Sequence, residues 1–439
     1  MAEMAVIRTS AEVELAANWR EARARLPGVV AAREAAFKRF EAAGLPHRRV
    51  EEWKYTDLRA LMREAKPLAP APDAAAKARA RAAGESLAAI EGRRIVLVDG
   101  SFVPELSDLA GLDAGLSVRP MAQALAAGDA KATERLGRIV PTDDIAVALN
   151  TAFMGDGVFI EVADGMALTR PLHLVFFNSG VQPASVFARS LVLIGVGARA
   201  MVIESHEGAP GNDCHVNTAF ELDVADKAHV DHVKITGEGA GSLHVSSLMA
   251  SIGAQARFNA FLFTTAAAVV RNQLFVHFRG PETVAGIRGA TLLNGRQHAD
   301  TTLVADHAAP ACISREVFKS VLDGESRGVF QGKIIVRPDA QKTDAKMSAH
   351  ALLLSETAEA DAKPELEIFA DDVQCGHGAT AGALDEDLLF YLRARGIPPR
   401  DAEALMIQAF VGEAIDGIEH AGLRDTLIEQ VAAWLKARS

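Results

Sequence analysis

From about Gly157 onward, short Val, Ile, Leu and Phe runs alternate with Gly, Asp and Asn for more than 200 residues. Val158 to Val162, Leu172 to Phe177 and Ser190 to Ile194 are three such runs, with no long helix-period segment between them. Helices repeat apolar residues every three or four positions and strands every second one, so the pattern demands a β architecture. Many short strands at near-regular spacing leave a sandwich, a barrel or a β-helix. An internal repeat chooses among them. At an offset of 28 residues Val192 aligns with Phe220 and Leu248, Ile194 with Leu222 and Ala250, and Val196 with Val224 and Ile252. Ala200, Ala228 and Ala256 continue the series, as do Val202, Val230 and Phe258, while Gly197, Ala225 and Gly253 mark a shared corner. A fixed period signals stacked units, and inward positions that match from coil to coil are what a solenoid core requires. The prediction is a β-solenoid of about seven coils, a rod roughly 34 Å long at one strand spacing per coil. Chance alternation in an antiparallel sandwich is the competing reading.

The flanks read differently. Up to about Ala65 the chain looks helical, with Leu15, Trp19, Leu26 and Val30 at approximate helical spacing. Gly44, Pro46 and His47 interrupt it before a compact polar–aromatic segment, Glu51 to Arg59. Pro67 to Gly84, rich in Pro, Ala, Lys and Arg, reads as a linker or exposed helix, and Arg94 to Gly100 as a strand. Beyond about Ala381 helices return. Asp385 is placed to cap one that carries Leu388, Tyr391 and Leu392, with Gly396 at its C′ position and Pro398 and Pro399 after it. A second, from near Asp401, puts Leu405, Met406, Ala409 and Phe410 on one stripe. A third carries Leu423, Leu427, Val431, Trp434 and Leu435. The expected organisation is a helical domain with linker over 1–150, a β-solenoid over 151–381 and a helical domain over 382–439.

Composition narrows the function classes. A net charge of −11 is the wrong sign for phosphate contacts. Three Trp and two Tyr leave little to stack on bases or sugars. The longest nearly apolar run, around Ala260 to Val270, is too short and too rich in Ala and Thr to span a bilayer. The opening residues, Met1 to Arg8, show neither the basic nor the apolar region of a signal peptide. Cys214, Cys312 and Cys375 are odd in number and scattered, which fits a reducing cytoplasm and no disulfide framework. The expectation is a cytoplasmic protein without nucleic-acid or membrane partners.

Few residues carry chemistry on their face. Gly328, Gly332 and Lys333 resemble a phosphate loop superficially, but the glycines are one residue too close and Ile334 replaces the needed Ser or Thr. His229 and His232, three apart in a strand, point to opposite faces and read as surface or turn histidines. Cys214 and His215 alternate in the same way, and Cys312 reads as a small buried hydrophobe. Cys375 and His377 differ. In an extended chain they share one face about 7 Å apart, a thiolate and an imidazole able to ligate a soft or borderline metal. Gly376 and Gly378 permit close approach of another backbone. One Cys and one His cannot complete four coordination, so further ligands would come from elsewhere. On composition alone, packing is the competing reading. The run from Glu356 to Asp387 has ten carboxylates against Lys363 alone and reads as a solvated face, with attraction of iron or of basic partners as the alternative.

Five further segments carry a resemblance. They are Arg327 to Ile334, Gln341 to Ala345, Lys363 to Ile368, Ala370 to Thr380 and Phe390 to Ile397. Together with Glu51 to Arg59, which is similar to an E-E-W-K-Y-T motif, they resemble the SufB/SufD family. Close motif agreement covers roughly residues 290–415 and that short segment. Cys375 to Gly378 match the Cys-x-His-Gly signature of the SufD branch. Ser348 to Leu353 lack the cysteine that the SufB branch carries before a Leu-Leu pair. The resemblance implies a right-handed parallel β-helix flanked by helical domains, with no catalytic residues of its own. It implies a complex with SufB through the β-helix and with the SufC ATPase through the C-terminal helices, and a possible homodimer in isolation. It also implies transient iron–sulfur cluster formation and iron acquisition at the SufB contact, with no cluster tightly held by this chain alone. His377, and more weakly Cys375, carry over as cluster ligands shared with SufB. Tyr391, Leu392, Arg393, Arg395, Gly396, Ile397 and Phe410 carry over as the SufC-docking residues. The alternatives are a β-helix polysaccharide lyase or hydrolase, and a purely structural partner in which Cys375 and His377 only pack.

Overall fold

In the computed structural model, which describes residues 8–438, the middle of the chain winds as a β-solenoid of about eight turns. The seven residues before these, on which most of the signal-peptide reading rests, lie outside the described part. Alternate strands join a nine-stranded and a ten-stranded sheet, parallel except where an antiparallel strand closes each sheet at its N-terminal edge. Inward side chains of both sheets form one continuous core. One column runs Val192, Leu222, Ala250, Val276, Ala305, Ile334, Leu366, each in register with the next.

The 28-residue offset holds for one step of that column only. Leu222 stacks on Ala250 and Val230 on Phe258, but Val192 stacks on Leu222 and Ala200 on Val230, both 30 residues on. Here the coils differ by an even number, so the same residues stay inward although the partner changes. The shared corner also shifts. Gly197 aligns not with Ala225 and Gly253 but with Lys227 and Gln255. These three, followed by Glu282, Ala311 and Lys342, form a row of left-handed residues with φ between 55° and 65°. Each donates its backbone N–H to the next coil, as Lys227 does to the Ala254 carbonyl at 2.8 Å.

Helices cover the outer face of each sheet. Ser10–Ala22, Val30–Ala43 and Ile145–Phe153 pack Leu15, Trp19, Phe37 and Phe153 over Leu243 and Val245 of the nine-stranded sheet. Val30 is exposed, because Gly28 and Val29 turn the chain with positive φ and start a new helix with a new face. Pro399–Ile415 and Ala421–Ala437 cover the ten-stranded sheet. The first of them buries Ala402, Ile407, Val411 and Ala414, leaving the predicted stripe of Leu405, Met406, Ala409 and Phe410 the more exposed side. The second buries Leu423, Leu427, Val431 and Trp434 as expected.

Two N-terminal segments belong to the solenoid. Arg93–Val98 pairs in parallel with Leu172–Asn178, and Leu116–Pro120 runs antiparallel to Val158–Val162. Of the two readings of Pro67 to Gly84 the helix holds, over the mostly exposed Ala74–Arg79, and the segment is no linker. Leu68 bridges to Ser185, and Ala76, Ala80 and Ala83 pack on Val96, Val98 and Val175. Small side chains let that segment lie close against the sheet. No described helix is long and apolar enough to cross a membrane.

Candidate functional site at the open end of the solenoid

The two ends of the solenoid are not alike. Antiparallel strands close both sheets at the N-terminal end, whereas Glu359–Ile368 and Gln374–Gly382 are the last strands of their sheets and, among the described residues, carry no neighbour beyond them. Such an edge presents unpaired N–H and C=O groups to any chain that can add a strand. Ile368 and Phe369 stand exposed beside it.

Cys375 and His377 lie on this final strand. In register, Cys375 stacks on Ala345, His377 on Met347 and Ala379 on Ala349, and those three lower residues are all buried. Both candidate ligands therefore continue the inward column of the solenoid at the point where it ends. Cys375 is half-buried against the core with Leu366 and Val373, while His377 is exposed. With Lys346, Met347, Gln374 and Gly376 they line an open depression of about 370 Å³. A Cβ added at Gly376 or Gly378 would meet nothing, so this stretch of edge is bare enough for another backbone to reach. Among the described residues, no third His, Cys or carboxylate is close enough to share one ion with these two.

Beneath His377 the column continues through Met347 to Glu316. Met347 fits because Gly332, on the opposite sheet, has no side chain where its sulfur lies. The phosphate-loop likeness of Gly328 to Lys333 thus dissolves. The segment is strand, its glycines make room for core side chains, and Lys333 pairs with Glu367 at 2.9 Å. The Glu316 carboxyl is fully buried and neither oxygen finds a hydrogen-bond partner, so burial pushes it up to about 7. Burial also raises the Cys375 thiol, with Asp344 and Glu316 adding to the effect.

Pairing between coils, and within one strand, neutralises much of the acidic run. Arg327 reaches Asp361 at 2.7 Å and Glu359 at 3.5 Å, Lys363 reaches Glu365 at 3.3 Å, and Lys342 pairs with Asp372. The Glu51 to Arg59 segment docks nearby on the outer face of the nine-stranded sheet. The Arg271 guanidinium lies 3.9 Å over the Trp53 ring and donates to the Glu52 carbonyl at 2.7 Å. The Trp53 indole donates to Asp144 at 2.9 Å, and Thr56 donates to Asp300, the buried partner of Arg271. Gln331 donates to the Glu52 carbonyl at 3.2 Å. Two motifs some 270 residues apart in the sequence are thus one contact.

The C-terminal module carries the other predicted residues. Asp385 accepts from the Leu388 N–H at 2.9 Å to cap the helix Glu386–Ala394. At its other end Gly396 has φ 84° and the Ile397 N–H reaches the Leu392 carbonyl at 3.4 Å. No residue of this helix is buried, and Phe390 is 73% exposed beside exposed Leu388 and Tyr391. The Arg395 guanidinium lies 3.5 Å over the Tyr391 ring. Phe410 is half-buried instead, with the Lys319 ammonium 4.4 Å over its ring.

The sequence reading missed the interior histidines. His173, His206, His232, His244 and His307 are all buried. His232, expected at the surface, bonds Glu204 at 2.7 Å inside the solenoid. Alternating polar residues in a strand look the same whether they face water or line an interior that is locally polar. The cysteine reading stands for Cys312, which packs in the core, and burial pushes the Cys214 thiol up to about 12.

The chain matches two family models, the SufBD protein N-terminal region over 22–174 and the SUF system FeS cluster assembly SufBD core domain over 176–410. It is 31% identical to an iron–sulfur cluster assembly SufBD family protein of Synechocystis over 405 residues, 88% of this chain and 87% of that one. It is 30% identical to the iron–sulfur cluster assembly protein SufD of Escherichia coli over 409 residues, 89% and 90% of the two chains. The solenoid, the docked E-E-W-K-Y-T segment and these matches agree: the chain belongs to the SufB/SufD family of iron–sulfur cluster assembly proteins.

Proposed function

We propose that the chain is a SufD-type scaffold subunit without turnover of its own, which offers His377, and secondarily Cys375, to a cluster built against a SufB-type partner. The observation that carries this is the open end, where an imidazole and a thiol top an inward column that no further coil covers among the described residues. A second solenoid end would cover them by strand addition, since main-chain pairing supplies affinity at such edges. Thiolate and imidazole suit iron and sulfide chemistry. With only two donors here, the partner supplies the rest, and the cluster is cargo shared between chains. Family membership displaces the polysaccharide-lyase reading.

The chain's own residues set the order of events. His377 is exposed and has no thiol proton to lose. Cys375 is held protonated by burial, Asp344 and Glu316, so it ligates only after that proton leaves. Strand addition over the depression excludes water from both. The helix Glu386–Ala394 presents an apolar face, Leu388, Phe390 and Tyr391, for a SufC-type ATPase, with Leu392, Arg393, Arg395, Gly396 and Ile397 around it and Phe410 on the adjoining helix. Residues 382–439 then act as the handle. Lys319 pairs with Glu413, Arg438 with Asp323, and Arg288 donates to the Gly417 carbonyl at 3.1 Å, so force on the helices reaches the ten-stranded sheet.

Half-burial of Cys375 beside Leu366 favours a second reading for that residue alone, a packing role. Co-expression with SufB-type and SufC-type proteins tests the main reading. One complex containing all three is expected, and a chain that purifies apart from both would overturn it.

A further inference from the structure

The interior of the solenoid turns polar in its middle coils. On inward rows, Ala200 and Val202 are followed by Glu204 and His206, Val230 by His232 and Lys234, and Leu248 is preceded by Ser246 and His244. All of these side chains are buried. Buried polar groups are normally paired, and most of these are. Lys234 donates to Thr236 at 2.7 Å and to Asn272 at 3.0 Å. Glu238 accepts from Asn178 at 2.9 Å and pairs with His244 Nδ1 at 2.9 Å.

Pairing is incomplete at His232, whose Nδ1 has no partner, and fails most fully at His206 and His244. Neither ring nitrogen of His206, nor Nε2 of His244, has a hydrogen-bond partner, although both rings are 0% exposed. Glu204 approaches His206 Nε2 only to 3.4 Å and without hydrogen-bond geometry. Packing fixes the rings, His206 stacked 4.5 Å from Phe176 and edge-on 4.8 Å from His244. One nitrogen of each histidine and one carboxylate oxygen of Glu238 lie within 4.8 Å of one another.

We propose that His206, Glu238 and His244 form a site for one borderline divalent metal ion, iron(II) or zinc(II), inside the solenoid and separate from the open end. Two imidazoles and a carboxylate are a donor set suited to such ions. Burial keeps both histidines neutral at physiological pH, His206 at about 4 and His244 well below its ordinary value, so their lone pairs are free. Burial also raises the Glu238 carboxyl above its ordinary value, a cost that a bound cation would offset. Two buried carboxylates, Glu204 and Glu238, stand against one ammonium, Lys234, and their field favours a cation. Glu238 lies in the corner Gly237-Glu238-Gly239-Ala240-Gly241, where Gly237, Ala240 and Gly241 are exposed and Glu238 is one residue beneath the surface.

The test uses the full-length chain, stripped with chelator and titrated anaerobically with cobalt(II) as the spectroscopic probe. Zinc(II) and iron(II) then compete in separate arms that rank the two. One ion per chain, with visible bands of imidazole and carboxylate ligation and a raised melting temperature, is expected. His206→Phe and Glu238→Gln should each weaken binding at least tenfold, and should His206→Phe fail to fold, Glu238→Gln decides. His377→Ala and Cys375→Ser should bind as wild type does. So should His229→Ala, which removes the half-exposed His229, Asp231 and Glu419 triplet. No stoichiometric binding, or binding indifferent to His206→Phe and Glu238→Gln, overturns the proposal. So does binding lost in the His377, Cys375 or His229 variants.

Discussion

Glu316 makes the folded chain sensitive to pH in a direction opposite to that of most carboxylates. It lies under Met347 in the column that ends at His377, buried and without a hydrogen-bond partner for either oxygen. Its pKa rises from 4.5 in an open chain to about 7 in the fold. Between those values the folded state holds a proton that the unfolded state has released, so stability falls as pH rises through this window and levels off above it. A displacement from 4.5 to about 7 corresponds to roughly 3 kcal/mol in total, of which about 2 to 3 kcal/mol falls between pH 5 and pH 8. Glu316→Gln keeps the shape of the protonated acid and has nothing to ionise. Spread over an unfolding entropy of about 2.1 cal/mol/K per residue, the effect is a gain of about 3 °C in melting temperature at pH 8. The gap between variant and wild type, followed by calorimetry from pH 5 to pH 8, should open as pH rises. A gap independent of pH, or a variant that melts lower at pH 8, refutes the reasoning.

Other predictions follow from the same contacts. Asp300→Ala strands the buried Arg271 guanidinium and should cost roughly 3–5 kcal/mol, with the Glu51 to Arg59 segment becoming sensitive to limited proteolysis. The double variant Arg271→Met, Asp300→Ala should recover much of that loss. Gly332→Ala drives a Cβ into the Met347 sulfur and should cost roughly 1–3 kcal/mol by overpacking, read as a lowered melting temperature. Phe390→Asp, at a 73% exposed position, should leave melting almost unchanged yet weaken binding of a SufC-type ATPase about tenfold or more by calorimetric titration.

How far the sequence speaks depends on what each pattern encodes. Period-two alternation and a near-28-residue spacing were enough for a solenoid, because between Val192 and Ala250 coil length changes by two residues, which leaves inward parity intact. The partner of Val192 was not legible, because coil length changes by two residues between the Val192 and Leu222 steps. Cys375 and His377 could be placed on one face from strand geometry alone. That this face is the end of the column could not, since it depends on which strand comes last in each sheet. The Trp53 contact with Arg271 joins segments too distant for any local rule. His206 and His244 were invisible for a subtler reason: an alternating polar residue reads as outward, and only the stacked neighbours reveal an inward one.

The central claim is that the open end holds half of a shared cluster site. The most direct measurement is acid-labile sulfide and iron content on the assembled complex with SufB-type and SufC-type partners, comparing wild type with His377→Ala. The account predicts an intact complex that no longer accumulates cluster, because the exposed imidazole is lost while the edge strands still pair. Cluster yield equal to wild type in an intact His377→Ala complex would contradict it.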